Sequence, residues 1–234
     1  MSTVLITGVT SGIGQALARE FSHLGHTVIG CGRNEGKISM LRNELGEANQ
    51  FSVVDVRFAE QVDQWSKTIL NRHSVDIVIN NAGMKGELRP LWEASAADVA
   101  RVIDTNINGT VNIIRSFVSQ MASSRSGTII NMSSEWGRTA DANVATYCAS
   151  KFAIEGLTKS LAKELPKGMI AIALSPLIVW TELLEQCKEL LLPGEYELGV
   201  SPECWARFAV PKMLALTEAD SGTSLTWSPN FSVK

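Results

Sequence analysis

Short apolar runs alternate with longer amphipathic ones from the first residues of the chain. STVLIT (2–7), HTVIGC (26–31), NQFSVVD (49–55), VDIVIN (75–80), GTIINM (127–132) and GMIAIAL (168–174) are β-branched and nearly continuous in apolar character. Strands that are apolar on both faces belong to a buried parallel sheet. Between them lie QALAREFSHLG, GKISMLRNELG, AEQVDQWSKTILNRH, ADVARVIDTNINGTVNIIRSFVSQM and ATYCASKFAIEGLTKSLAKEL, whose apolar positions recur at helical spacing. Two of these stop at a glycine, Gly25 and Gly46, where a helix is expected to end. The alternation predicts an α/β fold: a doubly wound parallel sheet with helices on both faces, spanning residues 1–234 as one domain.

One stretch breaks the pattern. Residues 176–200 are apolar but punctuated by Pro193 and Gly194, and they follow a strand end. Two readings stand open for the part near 180–200: a lid over a substrate, or an irregular surface connection.

Composition narrows the function classes. The chain of 234 residues is long enough for one large domain with a full core, and 45% hydrophobic and 19% charged residues are those of a globular protein. A net charge of −3 argues against a nucleic-acid binder. Cys31, Cys148, Cys187 and Cys204 have neither zinc-site nor disulfide spacing, so free thiols in a reducing cytosol are expected, and no metal. The start, MSTVLITGVTSGIG, lacks the build of a signal peptide. Its apolar stretch is too short to span a bilayer, as is MIAIALSPLIVW (169–180), so a cytoplasmic protein without membrane contact is expected.

Tyr147 and Lys151 sit four residues apart in a helical pattern, hence on one face, and Ser134 lies thirteen residues before the tyrosine. An ammonium beside a phenol is expected to lower a pKa that is about 10 in free tyrosine. Such a phenol can give a proton to a carbonyl oxygen or take one from an alcohol. The matching hydride cannot come from a side chain, so the chemistry requires a cofactor. TGVTSGIG, between the first strand and first helix, is placed to hold one. Gly8 takes the sharp turn, Gly12 admits a pyrophosphate, and Gly14 allows close helix–strand packing. Thr10, Ser11 and Ile13 lie in the same turn, and the helix start offers its N–H groups to phosphates.

The second strand ends in Gly32-Arg33, where an acid often binds ribose hydroxyls. A guanidinium there pairs with a 2′-phosphate, so NADPH is favoured over NADH; a solvated arginine opening the next helix is the alternative. Asp55, with Val56 beside it, is placed to meet the adenine, or else serves the turn.

TGVTSGIG, NNAG (80–83), Asn106, Ser134 and YCASK (147–151) resemble, in order, the motifs of the short-chain dehydrogenase/reductases, from Val4 to about Thr181. The resemblance implies a Rossmann-type sheet and a catalytic tetrad. Tyr147 would be the general acid in reduction, and Lys151 would lower its pKa and bond the nicotinamide ribose. Ser134, selected over Ser133 by its spacing to the tyrosine, would polarise the carbonyl. The Asn106 side chain would help hold a water that relays protons to the lysine. Asn80, Ala82 and Gly83 would floor the adenosine ribose, with Asn80 and Asn81 also ending a strand in a turn. Pro176 and Thr181 match the family's segment after the sixth strand, whereas Leu177 replaces its usual glycine, a departure that bears on the loop's backbone path. Val179 backbone groups are expected at the carboxamide. The chain ends at SLTWSPNFSVK, so the family's C-terminal tail looks abbreviated; this favours a homodimer over a tetramer.

TVLITGVTSGIGQALA, GHTVIGCGRN, NMSSEWGR and YCASKFAIEGL resemble more closely the plant-type NADPH-dependent pterin aldehyde reductases of that superfamily. A pterin is a flat polar bicycle that calls for aromatic faces and an acid at its amino-pyrimidine edge. Trp136 and Trp180 are candidates for the faces, and Glu135, Asp141 and Glu182 for the edge; lid packing and solvation are the alternatives. The activity implied is NADPH-dependent reduction of a small-molecule carbonyl. Rivals are a reductase of many aldehydes and ketones, and an NADPH-sensing binding protein, the latter disfavoured because all four tetrad positions are filled.

Overall fold

A computed structural model describes residues 1–230. Its strands are β1 (Thr3–Thr7), β2 (Thr27–Gly32), β3 (Gln50–Val53), β4 (Ile77–Asn80), β5 (Gly127–Met132), β6 (Met169–Ser175) and β7 (Ser224–Thr226). The α-helices are α1 (Gly12–His23), α2 (Glu35–Leu45), α3 (Ala59–Leu70), α4 (Ala96–Ile103), α5 (Gly109–Ser124), α6 (Ala145–Glu164), α7 (Glu182–Glu185) and α8 (Pro202–Leu214). Every strand pair in the sheet is parallel, in the order β3-β2-β1-β4-β5-β6-β7. The chain builds outward from β1 in one direction, then returns to β4 and builds outward in the other. Connections diverge at that switch point and leave a crevice at the strand C-termini.

Alternation along each strand divides the core into two layers. Val4, Ile6 and Ile79 face α1, α2 and α8, packing with Phe21, Leu41 and Trp205. Leu5, Ile29 and Val78 face the other way, onto α3 and α5 with Trp65 and Phe117. All six apolar runs are strands, although two are shorter by two or more residues than the pattern suggested. The run at 49–55 ends as a strand at Val53, which leaves Asp55 in the following turn, and the run at 75–80 begins as a strand only at Ile77. β7 escapes the pattern because its three residues are only half-buried and exist as a strand through pairing with β6.

Two departures from regularity shape the cleft. The long helical run at 97–121 is interrupted by a π-turn at Asp104–Asn108, which separates α4 from α5 and contains Asn106. Residues 182–198 form α7 and two short 3₁₀ turns, and this excursion closes where Val179 pairs with Val200. Among the described residues, no helix is long and apolar enough to cross a membrane.

Candidate active site

A cleft of about 640 Å³ opens where β1, β2, β3, β4 and β6 end. One half is lined by Gly8, Thr10, Ser11, Gly12 and Ile13, by Arg33, by Asp55 and Val56, by Ala82 and Gly83, and by Pro176, Val179 and Thr181. Gly8 has φ 73°, and a Cβ there would lie 2.9 Å from the Ala82 Cα, so only glycine fits. Gly14 stays out of the cleft, because its α-carbon packs where a Cβ would meet the Gly8 carbonyl oxygen at 2.4 Å. The helix that begins at Gly12 has no side-chain cap and no acid in its first turn, so its N–H groups face the cleft uncommitted.

The end of β2 explains the missing acid. A Cβ at Gly32 would lie 2.6 Å from Thr10 Cγ2, so Thr10 fills the space where a side chain would begin. Next to it, Arg33 forms no ion pair among the described residues. Asp55 is occupied instead by Arg57, whose guanidinium approaches it at 2.6 Å. Burial raises the Asp55 carboxyl, but hydrogen bonds from Arg57 and the charge of Arg33 bring it net below its ordinary value. The carboxylate therefore serves the turn after β3, while lining the cleft.

The NNAG segment needs a correction. Asn80 does not reach the cleft: it is 4% exposed and donates to Asn131 Oδ1 at 2.8 Å, in a polar seam that continues to Thr158. The reason is the strand's alternation, which turns its last side chain onto the sheet face beside Asn131, under α6. Asn81 takes the cleft position and donates to the Thr7 and Gly8 carbonyls at 2.9 and 3.3 Å, clamping the glycine turn. The doubled asparagine was the sequence signal for it.

After β6 the path of the loop is preserved at a cost. Leu177 adopts φ 55°, the left-handed region that glycine takes without penalty. Two residues on, Val200 N–H donates to the Ile178 carbonyl and Trp180 N–H donates to the Val200 carbonyl. Val179 between them thus turns its own N–H and C=O away from Val200, toward the cleft, where the protein offers them no partner among the described residues. The buried hydroxyls of Thr105 and Ser133 line the same cleft and also lack a protein partner. Open helix N–H groups, a free guanidinium and orphaned polar atoms fit a phosphorylated nicotinamide dinucleotide, since buried polar groups are costly unless something bonds them.

The other half of the cleft holds Ser134, Trp136, Tyr147 and Lys151. Ser134 caps a 3₁₀ turn at Glu135–Gly137, accepting from the Trp136 N–H at 3.3 Å. Tyr147 is 6% exposed, with the Trp136 ring edge-on at 6.0 Å and Leu88, Val144 and Leu190 packed in the same cluster. This apolar burial pushes the phenol well above its ordinary pKa, and hydrogen bonding with Ser134 only partly pulls it back. The expected acidification by Lys151 is not realised. The Lys151 ammonium lies 5.5 Å from the centre of the tyrosine ring and donates to the Met132 carbonyl at 2.7 Å. Burial lowers Lys151 itself to about 8, opposed by the charge of Glu155.

Asn106 is 2% exposed and lies behind the cleft wall. Its amide donates to the Met84 carbonyl and the Ser150 hydroxyl, and its Oδ1 accepts from the Met84 N–H at 2.8 Å. Both amide hydrogens are thus spent within the protein. A Cβ on Gly83 would sit 3.4 Å from Asn106 Oδ1 and 3.8 Å from Lys151 Nζ, so the glycine keeps the space between them clear.

The two tryptophans separate. Trp136 lines the cleft, its indole N–H donating to Asp141 at 2.7 Å, so that this acid is taken. Trp180 does not line it, contrary to expectation. Its indole N–H donates to the Tyr196 carbonyl at 3.0 Å, and its ring occupies the space beside Gly199. Trp180 was drawn into the 182–198 excursion because strand-like pairing with Val200 turns its side chain there. Of the three acids, only Glu182 lines the cleft. Lys85 and Cys187 also line it and carried no motif to reveal them.

Residues 2–190 match the protein family described as short chain dehydrogenase. The chain belongs to the short-chain dehydrogenases. The chain is 44% identical over 227 residues to an NADPH-dependent pterin aldehyde reductase of Arabidopsis thaliana, covering 96% of this chain and 92% of that protein. A 3-oxoacyl-[acyl-carrier-protein] reductase of Rickettsia prowazekii is 34% identical over 188 residues, 80% of this short-chain dehydrogenase and 76% of its relative. Among solved structures, the closed form of serine dehydrogenase complexed with NADP+ superposes with a TM-score of 0.85 at 28% identity, covering 97% of this chain and 94% of the other. ElxO with NADP bound gives a TM-score of 0.85 at 27% identity, covering 97% of each chain.

Within this short-chain dehydrogenase the segment NMSSEWGR acquires a physical meaning. Ser134 and Trp136 meet Tyr147, and a Cβ on Gly137 would lie 3.0 Å from the Lys151 carbonyl oxygen. Arg138 ties the turn to Glu155 of α6 at 3.1 Å and to the Leu225 carbonyl of β7 at 3.0 Å.

Proposed function

We propose that the chain is an NADPH-dependent carbonyl reductase whose substrate is a pterin aldehyde. The observation that carries the reading is the likeness to the Arabidopsis reductase across nearly the whole of both chains, together with buried Tyr147 and half-buried Ser134 paired at the cleft. NADPH supplies, when bound, the hydride that no side chain can provide. Arg33 would pair with its 2′-phosphate, the start of α1 with its pyrophosphate, and the Val179 N–H and C=O with its carboxamide.

The chain's own residues handle the proton. Ser134 donates to the substrate carbonyl oxygen and polarises it. Tyr147, kept protonated by its apolar surroundings, gives that oxygen a proton as negative charge develops there. A raised phenol pKa supports the reductive direction, because a tyrosine that must first ionise is a poor base toward an alcohol. Lys151 reloads the phenol through a water held in the space that Gly83 leaves beside Asn106 Oδ1. Trp136 gives the substrate ring an aromatic wall, and the 182–198 excursion acts as a lid. The same reading takes the chain to be a cytoplasmic homodimer.

The test is Tyr147→Phe. Turnover of a pterin aldehyde is expected to fall by at least about a thousandfold while the NADPH dissociation constant changes less than about threefold. Full activity in this variant ends the mechanism. Equal kcat/KM for pterin aldehyde and simple aromatic aldehydes in the wild type would favour a broad reductase instead.

A further inference from the structure

Lys85 lies on the cleft wall, in the segment that leaves β4, and is 9% exposed. Among the described residues it forms no ion pair. Its one hydrogen bond runs from Nζ to the adjacent Gly86 carbonyl at 2.9 Å. An ammonium has three N–H donors and no acceptor. Burying one beside a cavity without a counter-ion costs stability, so an acceptor is to be sought on what the cavity binds.

The backbone around this lysine is fixed on both sides. Met84 is held by its N–H and its C=O to the Asn106 side chain, each at 2.8 Å. Glu87 N–H donates to Asp98 Oδ2 at 2.9 Å. Between them Gly86 takes φ 77° against Asp98, where a Cβ would lie 2.6 Å from Oδ2. A residue flanked by such pins presents its side chain in one place rather than sweeping the surface. Cys187, at the start of the 3₁₀ turn within the 182–198 excursion, lines the same cavity. Burial raises its thiol, the Lys85 ammonium pulls it back, and the Glu189 carboxylate raises it again. The same Cys187 acts on the phenol of Tyr147. Lys85, Cys187 and Tyr147 all line this one cavity.

We propose that Lys85 is a substrate-recognition residue, donating to the ring acceptors that flank the reacting carbonyl. This deepens the reading of the site as a pterin aldehyde reductase and rests on it. In a pterin carrying its aldehyde at C6, the neighbouring ring nitrogen N5 and the C4 carbonyl oxygen lie on one edge and both accept hydrogen bonds. A donor-only cation complements that edge, while a carboxylate there would repel it. Lys85 thus orients the ring so that the aldehyde oxygen, at the end of the same edge, meets Ser134 and Tyr147.

The experiment compares pterin-6-aldehyde with 2-naphthaldehyde, which has the size of the bicycle but no ring acceptor. Full-length wild type, Lys85→Met and Lys85→Arg are assayed for kcat and KM with saturating NADPH. Lys85→Met is expected to lower the ratio of kcat/KM for the pterin over the naphthalene by about tenfold to a hundredfold, mainly through KM, as loss of a charge-assisted hydrogen bond does. Lys85→Arg, which keeps a donor, should recover part of that ratio. NADPH affinity and circular dichroism establish that each variant is folded. A ratio unchanged in Lys85→Met, or both substrates lost equally in a folded protein, overturns the proposal and leaves the pterin reading standing. A wild type that reduces naphthaldehyde but not the pterin overturns the pterin reading, and this proposal with it.

Discussion

Lys151 and Tyr147 were paired on sequence because residues four apart share a helix face. The shared face is real, yet the electrostatics are set by what surrounds it. Apolar neighbours push the phenol up and push the ammonium down, to about 8. This division gives a pH dependence. Below about 8 the ammonium is charged and can reload the tyrosine; as pH rises through that value the proton is lost, while the phenol stays protonated. We expect kcat for reduction to be level at lower pH and, once reloading limits turnover, to fall about tenfold per unit above the lysine's titration. Lys151→Arg should abolish that descending limb, since guanidinium does not deprotonate in this range. A wild-type profile flat to about pH 10 would remove Lys151 from the proton path. Thr10 and Gly32 make a second point at this scale. The absence of an acid after β2 was visible in the sequence, but the threonine methyl that fills its space was not.

At the scale of elements, helical and strand periodicities located the six main strands and the long helices because burial on one or both faces writes a repeat into the chain. The excursion at 182–198 has no such repeat. Its short turns are held by scattered side-chain contacts, among them Trp180 to the Tyr196 carbonyl, the Tyr196 hydroxyl to Glu185 at 2.7 Å and Asn230 to the Leu198 carbonyl. Trp180 is therefore a fastener of the proposed lid rather than a ring-stacking wall. Trp180→Ala should speed limited proteolysis within this segment by about tenfold and raise the substrate KM, with NADPH affinity little altered. Unchanged proteolysis together with a raised KM would return Trp180 to the substrate. The π-turn at Asp104–Asn108 is a comparable case, since a helix carrying one extra residue per turn looks continuous in sequence and differs only in which side chain it turns inward.

Across the whole molecule, β7 and α6 are joined to the reactive turn by one cluster. Glu155, 5% exposed, bonds Arg138 and the Ser224 hydroxyl, and Arg138 reaches the Leu225 carbonyl of the edge strand. Arg138→Ala would leave the Glu155 carboxylate buried without its cation. It should cost about 3 kcal/mol in urea unfolding, with Arg138→Ala/Glu155→Gln less destabilised than the single variant. An unaffected urea midpoint in the single variant would show the cluster to be decoration. The distribution of apolar residues, the glycine turn and the order of the motifs determined the layered fold and the family from sequence alone, and put forward Ser134, Tyr147 and Lys151, which the fold brings to one cleft. Each rests on local backbone geometry or on the period of burial, which the chain carries in its order. The tertiary structure alone decided that Asn81 rather than Asn80 serves the cleft, that Trp136 and not Trp180 lines it, and that Lys85 and Cys187 stand in it beside Tyr147. Those outcomes depend on which loops come together at the switch point and on the low polarity they create there, and neither leaves a period in the sequence.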